Sequence, residues 1–185
     1  MELKYLITGT GRCGTVYAAK LLASLGIPCG HESVFQFDGL DRIRLRLQGR
    51  LPVELSYCSS HARNHDGTWN EAEKWLDGQI VADASYMAVP YLGIPELSAT
   101  KVAHLVRNPN KVIRSFVGSL KYFTSHTPTN VYEKHIYDVV PDLTAHMTVW
   151  DRAALYWVSW TEMLDRIRPD RTLIKLEESP VGILN

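Results

Sequence analysis

A chain of 185 residues, 45% of them hydrophobic, has the length and apolar content of one globular domain with a full core, here residues 1–185. Twenty basic residues balance twenty acidic ones, and a formal net charge of zero argues against a nucleic-acid-binding or anionic-membrane surface. Cys13, Cys29 and Cys58 are too few and too scattered for a disulfide framework, and no Cys/His spacing resembles a zinc site.

Along the chain, short apolar runs alternate with longer helical patterns, the arrangement of a parallel sheet with crossover helices. Residues 1–8 lead straight into a strand, with no basic start followed by a long apolar segment. Neither a signal peptide nor a membrane span is expected, and a cytoplasmic location follows. Lys4–Thr8 reads as a buried strand, followed by a glycine-rich turn over Gly9–Gly14. A helix is predicted from Thr15 to Leu25, with Val16, Leu21, Leu22 and Leu25 inward and Gly26 as its stop. Gln79–Asp83 and Lys101–Val106 read as central strands. Asn108-Pro109 opens a helix with a capping side chain and a proline suited to the first turn, its inner face being Val112, Phe116, Leu120 and Phe123. A last long helix is predicted over Thr144–Arg168, with Val149, Ala153, Trp157, Trp160, Leu164 and Ile167 on one side. Pro169 ends it and Thr172–Leu176 is a final strand. The stretches 38–70 and 122–143 read as irregular, the kind of loop that carries a binding site. Trp150, Trp157 and Trp160 are expected in the core, while Tyr57, Trp69 and Tyr122-Phe123 are candidates for stacking on a ring.

The strand–glycine–helix layout of residues 5–15 suits an anion, because backbone N–H groups and the helix dipole converge at the turn. Gly9 and Gly14 have the spacing of an ATP-binding loop, but Thr15 and Val16 stand where its Lys and Ser/Thr belong. The cation is Arg12, two residues before Gly14. This disfavours an ordinary nucleoside triphosphatase. Later, Arg107 ends a strand, Pro109 follows, and Ser115 lies eight residues after the arginine. An arginine fork suits two phosphate oxygens, and a serine hydroxyl from the adjoining helix adds a third donor.

Arg12-Cys13-Gly14-Thr15, paired with Arg107 and Ser115, resembles the two donor-binding motifs of the sulfotransferases that use 3′-phosphoadenosine 5′-phosphosulfate. Cys13 occupies the usual serine position of the first motif. Ala82-Asp83-Ala84-Ser85-Tyr86 and Lys175-Leu176-Glu177-Glu178 resemble two further segments of the family in the expected order, although the strand-end lysine of the former is missing here. The resemblance implies a three-layer α/β phosphate-loop fold, with a central parallel sheet flanked by helices. It implies donor binding by Thr10, Gly11, Arg12, Cys13, Gly14 and Thr15 at the 5′ side and by Arg107 and Ser115 at the 3′-phosphate. Arg12 would neutralise the moving sulfuryl group and no metal would be required. The base would be a carboxylate at the end of the second strand, which puts Glu32 first, with its neighbour His31 as the rival because imidazole titrates near neutral pH. The acceptor is expected to be a small molecule or a glycan, a carbohydrate or glycolipid hydroxyl being favoured, and the oligomeric state stays open. A phosphate-loop kinase and a non-catalytic nucleotide-binding module are the alternatives. His61, His65, His104, His126, His135 and His146 form no metal-binding spacing, and His104 reads as a satisfied core residue.

Overall fold

The protein is described from a computed structural model, over residues 2–53, 80–125, 127–143 and 147–177. Five short strands make one parallel sheet: β1 (Tyr5–Gly9), β2 (Cys29–His31), β3 (Ala82–Ala84), β4 (Lys101–Val106) and β5 (Thr172–Lys175), in the order β2-β3-β1-β4-β5. The period-two alternation of a strand divides β1 between two cores. Leu6 joins Val102 and the large aromatic cluster on one face, whereas Ile7 joins Cys13, Ala19, Cys29, Ala84 and Leu105 on the other. Helix α1 (Thr15–Ser24) covers the second face. The first face is covered by α5 (Val149–Ile167), with α2 (Leu40–Leu47), α3 (Pro109–Arg114) and α4 (Val131–Val139) supplying Ile43, Val112 and Ile136 to its core. The expected three-layer α/β architecture is therefore the observed one.

Strand order reverses direction around β1. The chain leaves β1 toward β2 and β3 on one side, and later returns to β4 and β5 on the other. Loops at the carboxyl ends of strands at such a reversal form a crevice, and the Gly9–Thr15 turn lies there.

Several elements differ from expectation. Helix α1 ends at Ser24, so Leu25 lies past the last turn and is 67% exposed; Thr15 and Ala19 are the buried positions. Strand β3 is displaced toward the C-terminus, which puts Asp83 inside it rather than at its end; Gln79 lies outside the described residues. The stretch from 38 contains α2, whose buried Ile43 and Leu47 are masked in the sequence by four charged neighbours, Asp41, Arg42, Arg44 and Arg46. Residues 54–70 lie outside the description. The stretch 122–143 contains α4, capped by Asn130 accepting from the N–H groups of Tyr132 and Glu133. Helix α3 begins as expected, with Asn108 Oδ1 accepting from Asn110 N, then loosens into a wider helical turn over Ser115–Ser119. Phe123 is buried, but from a left-handed residue beyond that turn (φ 64°) and not from the helix itself. Helix α5 starts at Val149, where Thr148 and Asp151 cap each other's backbone N–H. Trp160 is fully buried, as expected, but Trp150, in the first turn on the solvent side, is 50% exposed. Among the described residues no helix is long and apolar enough to cross a membrane.

Candidate active site

The β1–α1 turn is shaped by contacts that leave no room for side chains. A Cβ on Gly9 would stand 2.5 Å from the Leu105 carbonyl oxygen, and one on Gly11 would stand 2.7 Å from Phe116 Cζ. The turn passes twice through left-handed backbone, at Arg12 (φ 67°) and at Gly14 (φ 103°). Alternation of this kind points successive N–H groups into one concavity. Two of its N–H groups are used internally: Cys13 N donates to Thr10 O (3.2 Å) and Gly11 N donates to the Tyr156 hydroxyl (2.8 Å). Those of Arg12 and Gly14 have no acceptor among the described residues.

The two sequence motifs meet here. Arg12 Nε donates to Ser115 Oγ at 2.8 Å, and Arg107 Nη1 donates to the Arg12 carbonyl at 3.0 Å. The helix that carries Ser115 is tied in turn to the end of β5, since Asn108 N donates to Glu177 Oε1 (3.1 Å) and Lys111 Nζ lies 3.7 Å from the same oxygen. Thr10 and Thr15 are buried. Thr15 Oγ1 lies 3.2 Å from His31 Nε2, the direction of donation being set by the imidazole tautomer. Cys13 is fully buried, its thiol packed in the α1-side core, so its side chain faces away from the concavity that its backbone helps to form. Burial pushes that thiol up to about 12.

The second strand brings the candidate bases alongside. His31 Nε2 stands 3.9 Å from Glu32 Oε1. Glu32 is 5% exposed and, like Arg12, sits in left-handed backbone (φ 55°), its N–H held by Ala84 O at 3.2 Å. Burial first, and the neighbouring Asp83 charge second, push its carboxyl up to about 8. Asp83 accepts from Ser33 N and Val34 N, both at 3.1 Å, and folds residues 30–34 tightly back on the sheet. Burial raises Asp83 to about 6 against the pull of those N–H groups. Arg12, Thr15, His31, Glu32, Arg107 and Ser115 are thus linked through one chain of contacts at the strand ends.

Two participants escaped the sequence reading. Tyr156 reaches Gly11 from α5 across 145 positions, a contact that the helical pattern of α5 does not announce. Asp83 orients the Glu32 strap, and its signal was a carboxylate inside an otherwise apolar strand. Conversely, Phe123 is fully buried against Phe116, Tyr122 and Tyr156, so its ring is not a stacking platform. Tyr57, Trp69, His61, His65, His126 and His146 lie outside the described residues. His104 is a core residue whose Nδ1 accepts from Arg171 Nε at 3.2 Å. Among the described residues no three His, Cys, Asp or Glu side chains group as metal ligands would. No protein-family model matches the chain, and no curated protein matches it in sequence.

Proposed function

We propose that the chain is a sulfotransferase that moves a sulfuryl group from 3′-phosphoadenosine 5′-phosphosulfate to an acceptor hydroxyl, a carbohydrate or glycolipid hydroxyl being favoured, or to an amine. The observation that carries this reading is the Arg12–Ser115 hydrogen bond together with the Arg107–Arg12 contact. It joins a phosphate-type turn to a second cationic group on the neighbouring strand, which suits a donor with phosphate at both the 5′ and 3′ positions. ATP has no 3′-phosphate, and Thr15 stands where an ATP-binding loop has its lysine.

The residues fit such a donor by their chemistry. Two guanidinium groups, one serine hydroxyl and the free N–H groups of the turn are all donors, and anions are stabilised at the start of α1. When bound, the donor supplies an activated S–O bond whose cleavage leaves adenosine 3′,5′-bisphosphate. Arg12 and the turn offset the negative charge that passes between the oxygens. Glu32 takes the acceptor proton. Its carboxyl is poised near neutral pH by burial, so it is a stronger base than an ordinary carboxylate. His31, engaged with Thr15, links the base to the turn.

A thermal-shift comparison tests the reading. Adenosine 3′,5′-bisphosphate is expected to raise the melting temperature more than ATP with magnesium does. Stabilisation by ATP with magnesium alone would overturn the assignment in favour of a kinase. Bisphosphate binding without transfer of labelled sulfuryl to any acceptor in a glycan and phenol panel would point to a binding module.

A further inference from the structure

The phosphate turn is held from below by α5. Tyr156 is fully buried in the middle of that helix, and its hydroxyl accepts from Gly11 N at 2.8 Å. Its ring is fixed by Phe116 (centroids 5.1 Å apart, edge-on), Trp160 (5.0 Å) and Phe123 (5.9 Å). Phe116 also closes on Gly11, beside Tyr156, and is the immediate neighbour of Ser115, the partner of Arg12. Gly11 is therefore packed against two aromatic side chains from different elements, and the next residue is the left-handed Arg12.

We propose that Tyr156 is the positioning residue of the phosphate turn. Its hydroxyl draws the Gly11 N–H inward, away from the anion concavity, and so fixes the peptide orientation from which Arg12 reaches Ser115. A non-glycine residue at positive φ is held only where its surroundings over-determine it. Here the surroundings are two bonds on either side of one residue: Gly11 N to Tyr156, and Arg107 to Arg12 O. The donor N–H groups of the concavity are then those of Arg12 and Gly14. Tyr156 touches no reacting atom in this scheme. The effect on donor affinity rests on the sulfotransferase reading; the effect on the turn does not.

The test is Tyr156→Phe, which keeps the ring and removes only the acceptor of the Gly11 N–H. Leu164→Ala, fully buried two turns further along α5, serves as a control that lowers stability without touching the turn. Well below both melting temperatures, Tyr156→Phe is expected to weaken adenosine 3′,5′-bisphosphate on the order of 10-fold, because binding must then restore the turn orientation that the lost Gly11 hydrogen bond held. Leu164→Ala is expected to leave that affinity unchanged. In hydrogen exchange, the Gly11 amide is expected to be protected in the wild-type chain and fast in Tyr156→Phe. Wild-type affinity in Tyr156→Phe, or an equal loss in both variants, overturns the proposal. If Tyr156→Phe does not fold, the wild-type Gly11 amide decides: exchange as fast as that of an exposed loop overturns it. A wild-type chain that protects Gly11 but binds no bisphosphate would sink the donor reading and leave the turn's clamp standing.

Discussion

Arg12 and Ser115 stand 103 positions apart and are joined by a 2.8 Å hydrogen bond across the gap between β1 and the helix after β4. Arg12 is not fixed by a regular element of its own, whereas Ser115 is held by its helix. Arg12 is exposed, in left-handed backbone, and Ser115 opens the loosened turn that follows α3. Their meeting puts the β1–α1 turn and the β4–α3 junction under one constraint, because Arg107 holds the carbonyl of the same arginine.

Arg107→Ala is the sharpest test of the 3′ side. Hydrogen bonds to charged groups are worth about 1.5–3 kcal/mol, so adenosine 3′,5′-bisphosphate should bind roughly 10- to 100-fold more weakly. AMP lacks the 3′-phosphate and should lose only the part that comes from a looser Arg12. Titration calorimetry of both ligands separates the two. Equal losses would mean that Arg107 supports the turn and does not see the 3′-phosphate.

His104 predicts an acid limit to stability. Burial, reinforced by the Arg171 charge, lowers its pKa from 6.5 to about 4. Between those values the unfolded chain binds the proton and the folded chain does not. Stability therefore falls as pH drops from about 6.5 to about 4, and the loss is complete below that. Denaturant titrations of the wild type and His104→Gln across this window should converge toward acid pH, as the wild type loses its advantage. Parallel curves would mean that His104 titrates normally.

Cys13 should be inert. Its thiol is fully buried and pushed up to about 12, so almost no thiolate exists at neutral pH. Iodoacetamide at pH 8 should leave Cys13 unmodified in the native chain and alkylate it after denaturation, as read by peptide mass. Rapid native alkylation with loss of ligand binding would show that the turn opens on the labelling timescale.

The sheet and the glycine-rich turn after its first strand were legible in sequence because both are local patterns. Lys101–Val106 is a mostly apolar run, Arg107 directly follows it, and Arg12 lies in the glycine-rich turn after the first strand, positions defined by the residues on either side. What was not legible depends on contacts between distant segments. Helix α2 hides its two core residues among arginines, one of which, Arg46, is itself buried by pairing with Asp38 and donating to Val34 O. Trp150 and Trp160 belong to one helix, yet only the second faces the sheet, and helical spacing alone did not say which. Tyr156 and Asp83 act through backbone groups of other elements, for which sequence carries no direct sign.

Glu32 ties chemistry and stability to one titration. A base must be ionised, so kcat/KM should rise with pH and level off above a midpoint near 8. Glu32→Gln should lower turnover about 100- to 10,000-fold while retaining bisphosphate binding, since the carboxyl is not among the donor's ligands. The stability sign runs the opposite way to the rate. The folded carboxyl keeps its proton between its ordinary 4.5 and about 8, whereas the unfolded one has lost it. The folded state binds more protons in that window, so wild-type stability falls with rising pH, by at most about 1.4 kcal/mol per unit. Glu32→Gln carries no such penalty and should gain on the wild type across the same window. Asp83→Asn removes the neighbouring charge that helps to raise Glu32, and should move the rate midpoint below 8 while loosening the strap it holds through Ser33 and Val34. A wild-type rate profile with its midpoint near 6.5, abolished by His31→Asn and untouched by Asp83→Asn, would transfer the role of base to the imidazole.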